Sequence, residues 1–173
     1  ITDVHALAAC TEMTSNLRGA VARPDDIPLR SRTMLSCLEA GLAFSNAGLG
    51  LAHAMAHALG GLRDYPHGAS HAIFLAPVVA FNFQAAPERY ARFAEALGVR
   101  AAGAPVPAAE AELIEAIRRL CADVGLGPTL GRIGIGRECI PDLVARTLAD
   151  PSLVTNPRPA TRRDIEELYE RVL

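Results

Sequence analysis

Excess charge is the first thing this sequence does not have. Its 17 basic and 19 acidic side chains leave a formal charge of -2 and a pI near 6.2, so there is no basic field to gather phosphates. Nucleic acid and membrane are therefore not expected as partners. Cysteine is sparse: Cys10, Cys37, Cys121 and Cys139 stand too far apart for a CxxC redox pair or a cysteine zinc site. That usage suits a reducing cytosol, with the thiols expected as small buried apolar side chains. No stretch approaches about 18 apolar residues free of charges and helix breakers, and no basic-then-apolar leader opens the sequence. A cytoplasmic, soluble protein is the expectation. Internal repeats and low-complexity segments are absent too.

What is present is helical periodicity. Half of the 173 residues are hydrophobic and 21% are charged, which is enough apolar material for one core and too much for disorder. A single domain over residues 1–173 is expected. Ala6, Cys10, Met13, Leu17 and Val21 recur at steps of three and four, so most of 2–21 reads as a helix. Pro24-Asp25-Asp26 is a turn, and Pro28 opens a second helix striped by Leu35, Leu38 and Leu42. The apolar run 72–81 reads as a kinked helix because Pro77 argues against a central strand. Pro87 starts another helix with Tyr90, Phe93, Ala94 and Leu97 on its buried stripe and Gly98 as its left-handed stop. Leu113, Ile117, Leu120 and Val124 repeat the pattern up to Gly125. The glycines of 125–136 do not fall in G-x-G-x-x-G order and follow no strand, so they form a connector. Thr161 to Asp164 fits a capping box ahead of Ile165, Leu168 and Val172. The fold class is all-α, a helical bundle.

Four of the five histidines fall within 45–71, among glycines and alanines. His53 and His57 are four apart on one helical face. Spacing alone leaves packing open as an explanation. The zincin pattern H-E-x-x-H fails because Ala54 follows His53, and no histidine has a Glu three residues earlier as a helical di-iron site requires. His67, between Pro66 and Gly68, is expected on a tight turn that opens the next helix. His5 and His71 read as structural or surface residues, and Arg63 and Asp64 as solvated loop charges.

The run Ala40 to His57, then Gly60-Gly61 and Tyr65-Pro66-His67-Gly68, resembles the signature of iron-containing (group III) alcohol dehydrogenases. The likeness continues through Phe81-Asn82, Gly125 to Leu130 and Thr155-Asn156-Pro157-Arg158. It covers essentially the whole chain. The resemblance implies the all-helical C-terminal domain of the dehydroquinate synthase-like fold, with the N-terminal NAD(P)-binding domain absent from this chain. Since the sequence starts at Ile1 inside what reads as a helix, a piece of a longer protein is expected, inactive alone.

In that family one Asp and three His hold a divalent metal. By resemblance His53 and His67 are two of those ligands, and His57 is the catalytic histidine that faces the nicotinamide and relays a proton. The other Asp and His come from an upstream D-x-x-x-H helix, which this chain does not contain; Asp3-Val4-His5 is too closely spaced. His71 stands where the family commonly has Asn. The implied cofactors are Fe2+, with Zn2+ or Mn2+ as alternatives, and NAD(P) bound mainly by the missing domain. The implied reaction is reversible oxidation of a small alcohol to an aldehyde or ketone, in a homo-oligomer. Two other functions remain open: a metal-dependent lyase of the dehydroquinate-synthase type, and a non-catalytic helical binding module on the same scaffold.

Overall fold

Local signals set the helix ends. The structure, a computed structural model, describes residues 1–100 and 105–173. Helix α1 spans Thr2–Ala22 and α2 spans Ile27–Ala47. At the start of α2 the Asp26 carboxylate accepts from the Leu29 N–H at 3.2 Å, with Pro28 in the first turn, where its missing N–H costs nothing. Helices α3 (Leu51–Arg63) and α4 (His67–Asn82) follow, then α5 (Pro87–Ala96), α6 (Ala109–Asp123), α7 (Ile140–Ala149) and α8 (Arg162–Glu170). Among the described residues there is no strand, so the chain is all-α. No single helix among them is long and apolar enough to cross a membrane.

The chain folds as two compact units, residues 1–48 with 86–125 and residues 49–85 with 126–173. In the first, α1 packs along α2 and touches α5 and α6. The expected stops hold: Gly98 and Gly125 both adopt left-handed φ, 70° and 74°, after α5 and α6. The Leu stripe of α2 does not behave as its period suggests. Leu35, Leu38 and Leu42 are 53%, 59% and 45% exposed, whereas Ser36 and Ala43 are buried. The buried positions of α1 are Ala9 and Asn16. Small side chains allow two helix backbones to approach closely, so the faces that carry them are the ones buried. Asn16 and Ser36 tolerate burial because each donates back to its own helix, to the carbonyls of Glu12 at 2.7 Å and Arg32 at 2.9 Å. The cysteines also differ from expectation. Cys37 is exposed and the other three are half-buried, for the helical faces on which they sit border the core without entering it.

The second unit is built around α3. Leu51, Met55 and Leu59 are fully buried at steps of four, with Phe74 of α4, Leu143 and Val144 of α7, and Ile165, Leu168 and Tyr169 of α8. Helix α7 was not anticipated from the sequence, although Ile140, Leu143, Val144 and Thr147 have helical spacing and are buried. The Tyr169 ring meets Phe74 edge-on at 5.5 Å. Its hydroxyl shares a 2.7 Å hydrogen bond with Thr147 and donates to the Met55 carbonyl at 3.4 Å. Burial pushes the phenol well above its ordinary pKa. Pro77 lies inside α4 and deprives the Ile73 carbonyl of its helical donor without ending the helix. The capping box of α8 is present, with Thr161 and Asp164 bonded reciprocally.

Helix α3 has no capping side chain of its own, because its N-cap is Gly50. Asn156 takes that role from across the unit. Its Oδ1 accepts from the Leu51 N–H at 3.0 Å and from Asn82 Nδ2 at 3.0 Å. Its Nδ2 donates to Asn82 Oδ1 at 2.8 Å and to the Arg158 carbonyl at 2.6 Å. A Cβ on residue 50 would stand 3.0 Å from Asn156 Oδ1, so a glycine there clears the space the amide needs. The Arg158 guanidinium lies 3.9 Å over the Phe81 ring and donates to the Phe81 carbonyl at 3.1 Å, fixing the segment after Asn156 to the end of α4. Asn156→Ala is expected to cost about 1–3 kcal/mol in urea unfolding, because it leaves the Leu51 N–H and the Asn82 amide without their partner. A loss below about 0.5 kcal/mol, the ordinary range for surface changes, would show that the cap is dispensable.

Candidate metal centre

Residues two apart on a helix differ by about 200° in direction. Leu51, Met55 and Leu59 therefore turn one face of α3 into the core while His53 and His57 stand on the other. At the end of α3, Asp64 takes a left-handed φ of 51° and its N–H donates to the Gly60 carbonyl at 2.8 Å. Tyr65 and Pro66 complete the turn, and His67 is the first residue of α4, after Pro66 at the N-cap. His71 follows one turn later on the same face. The helical hairpin thus faces two histidine pairs towards each other.

The rings are crowded. His53 and His71 have centroids 4.1 Å apart, His67 and His71 4.6 Å, and His53 and His67 5.6 Å. Nε2 of His71 is 3.2 Å from Nε2 of His67. One ring nitrogen from each of His53, His67 and His71 lies within 4.8 Å of the other two. Burial lowers the His53 pKa, with the charges of His67 and His57 adding to it and Asp150 opposing. Burial pushes His71 down to about 3, with His53, His67 and His57 adding to the effect. These two imidazoles are thereby held neutral, the form that can donate a lone pair to a cation.

His57 is set apart from that trio. Its ring stacks on His67 at 5.3 Å, but its Nδ1 is 2.8 Å from Asp150 Oδ2. The other oxygen of Asp150 accepts from the Ser152 N–H at 2.8 Å. Burial would raise the Asp150 carboxyl, yet the hydrogen bonds from Ser152 and His57 outweigh it and hold the group below its ordinary value. A carboxylate at Nδ1 assigns the ring proton to that nitrogen, which leaves Nε2 as the acceptor.

The histidines singled out in the sequence are thus brought together: His53 and His67 share one focus, with His57 beside them. His5 stands on α1 in the other unit. Two residues went unrecognised in the sequence. His71, read there as structural, joins the focus, and its signal was the His67-x-x-x-His71 spacing that repeats His53-x-x-x-His57. Asp150 had no local signal, being 93 residues from its partner. Arg63 and Asp64 are exposed, as expected for solvated charges.

Comparison with known proteins accords with this geometry. The family described as "Fe-containing alcohol dehydrogenase family, C-terminal" matches residues 1–173. The 1,3-propanediol dehydrogenase of Citrobacter freundii is 37% identical over 171 residues, which are 99% of this chain and 44% of that protein. The lactaldehyde reductase of Escherichia coli K12 is 38% identical over 169 residues, 98% of this chain and 44% of that one. Among solved structures, a 1,3-propanediol oxidoreductase superposes with a TM-score of 0.96 at 36% identity, covering 99% of this chain and 45% of the other. An alcohol dehydrogenase from Oenococcus oeni gives 0.95 at 34% identity, with the same coverage. The chain spans somewhat less than half the length of these relatives, and the match falls on their C-terminal part. With the whole sequence matched and the histidine hairpin in place, this chain belongs to the Fe-containing alcohol dehydrogenase family.

Proposed function

We propose that this chain is the metal-binding half of an NAD(P)-dependent alcohol dehydrogenase, with His53 and His67 as metal ligands and His57 as the proton-relay residue. The observation that carries the reading is the division of labour in the hairpin. His53 and His67 bring ring nitrogens within 4.8 Å of each other, while His57 is engaged by Asp150 through Nδ1 and keeps Nε2 for a proton. Imidazole donors suit a borderline divalent cation such as Fe2+ or Zn2+, and Mn2+ less well. A cation bound there supplies Lewis acidity towards the alcohol oxygen.

The chain's own residues do the rest. His57 would accept the hydroxyl proton at Nε2 and return it in the reverse direction, and NAD(P), when bound, would supply the hydride acceptor. Asp150 fixes the tautomer and orients the ring, so that the acceptor lone pair does not have to be found anew in each cycle. NAD(P) is held mainly by an N-terminal domain outside this chain. A small alcohol or aldehyde is the proposed substrate class, in line with relatives named for 1,3-propanediol and lactaldehyde. Those names favour a dehydrogenase over the lyase alternative. We place the protein in the cytoplasm as a homo-oligomer.

In the two-domain protein, His53→Ala and His67→Ala are each expected to strip the metal and abolish turnover. His57→Ala is expected to keep the metal and to lower turnover by about 10²- to 10⁴-fold, the range for general acid–base help. Asp150→Ala should act in the same direction as His57→Ala but less severely, again with metal retained. Metal analysis beside steady-state rates checks all four variants. Loss of metal from His57→Ala with a full complement in His53→Ala would reverse the assignment. The 173-residue chain alone is expected to reduce no NAD(P) with any alcohol; metal-dependent reduction by the purified chain would refute the need for a second domain.

A further inference from the structure

We propose that His71 is a metal ligand as well, so that this chain brings three imidazoles, His53, His67 and His71, to one cation. The inference rests on the metal-centre reading above and extends its donor set by one residue. Nitrogen donors about 2.0–2.1 Å from a tetrahedral Zn2+ stand about 3.3 Å from one another. The Nε2 atoms of His67 and His71 are already 3.2 Å apart. His71 is also the closest ring to His53, at 4.1 Å between centroids, so it stands between the two other donors and not at the edge of the group. All three chosen nitrogens fall within 4.8 Å of one another. Modest rotation about the side-chain bonds therefore closes them on a shared ion.

The competing explanation of the 3.2 Å contact is a hydrogen bond between two neutral imidazoles. That bond would account for His67 and His71, but not for a His53 ring nitrogen within 4.8 Å of both. It would also need one ring to present N–H and the other a lone pair. Ligation instead needs a lone pair from each ring and leaves the second nitrogen of each protonated. Three imidazoles in place of two also bias the site. Nitrogen-rich donor sets favour Zn2+, Co2+ and Fe2+ over Mg2+ and Ca2+, which prefer oxygen. The site is accordingly expected to ignore millimolar Mg2+.

The test uses the 173-residue chain, labelled with 15N at histidine and titrated with Zn2+. Long-range proton–nitrogen spectra report each ring, and calorimetry reports affinity with and without excess Mg2+. One ring nitrogen each of His53, His67 and His71 is expected to move from the free to the coordinated shift, with His57 unmoved. His71→Ala is expected to weaken Zn2+ binding by at least about 10-fold, as for other groups that support a metal site. The spectra on the unmodified chain keep the test valid even if that variant misfolds. If His53 and His67 shift while His71 keeps its free-imidazole signature, His71 is only hydrogen-bonded; this inference falls and the metal centre stands. It falls equally if His57 coordinates in place of His71. If no histidine shifts with excess Zn2+, the three imidazoles do not make a site and this inference falls, while the metal centre is decided by metal analysis of the His53→Ala and His67→Ala variants of the two-domain protein.

Discussion

The amide of Asn156 is the constraint on which the second unit turns. Helix α3 begins at a glycine that carries no capping group, and its first residue, Leu51, is fully buried. An uncapped N–H there would be an unpaired donor in an apolar core. Asn156 satisfies it and, through the reciprocal amide pair, ties it to Asn82 at the far end of α4. The histidine hairpin is thus clamped at the two ends away from its turn. His53 lies in the first turn of α3, so its position follows almost directly from this cap, and His67 lies at the other end, where Asp64 and Pro66 shape the turn.

Clamping matters because it keeps four imidazoles on two helices close together. Burial holds two of them, His53 and His71, neutral, so that their lone pairs are available. Asp150 distinguishes one of the four. By engaging Nδ1 of His57 it draws that ring into an acid–base pair, while the other three face one another. The proposed relay residue and the proposed metal ligands thus lie a few ångströms apart, distinguished by a single carboxylate at the end of α7.

Much of this was legible in the sequence, and what was not has physical reasons. Helix stops at Gly98 and Gly125, the capping box at Thr161, and the pairing of His53 with His57 are local, encoded within four residues, so they could be read directly. The face that α2 buries was not legible, since the Leu stripe announces an apolar face but not a neighbour, and close helix approach favoured Ser36 and Ala43. Cap donation by Asn156 and the pairing of Asp150 with His57 join residues 105 and 93 positions apart, beyond the range of any spacing rule. The Asn156-Pro157-Arg158 segment could be noticed through family resemblance alone; its role as a clamp needed coordinates. The place of His71 beside His53 was not legible for a subtler reason. Its spacing from His67 was visible, but without the hairpin nothing indicated that this pair faces the other.

Neither unit is continuous in sequence: each is interrupted by part of the other. A chain emerging from the ribosome can therefore complete residues 1–48 with 86–125 while α3 and α4 still await α7, α8 and Asn156. Throughout that interval Leu51, Met55, Leu59 and Phe74 lack the cover that α7 and α8 supply. The stretch that seals the hairpin is thus synthesised well after the hairpin itself. Premature termination between His71 and Asn156 would leave every histidine present and the helix that carries two of them without its cap.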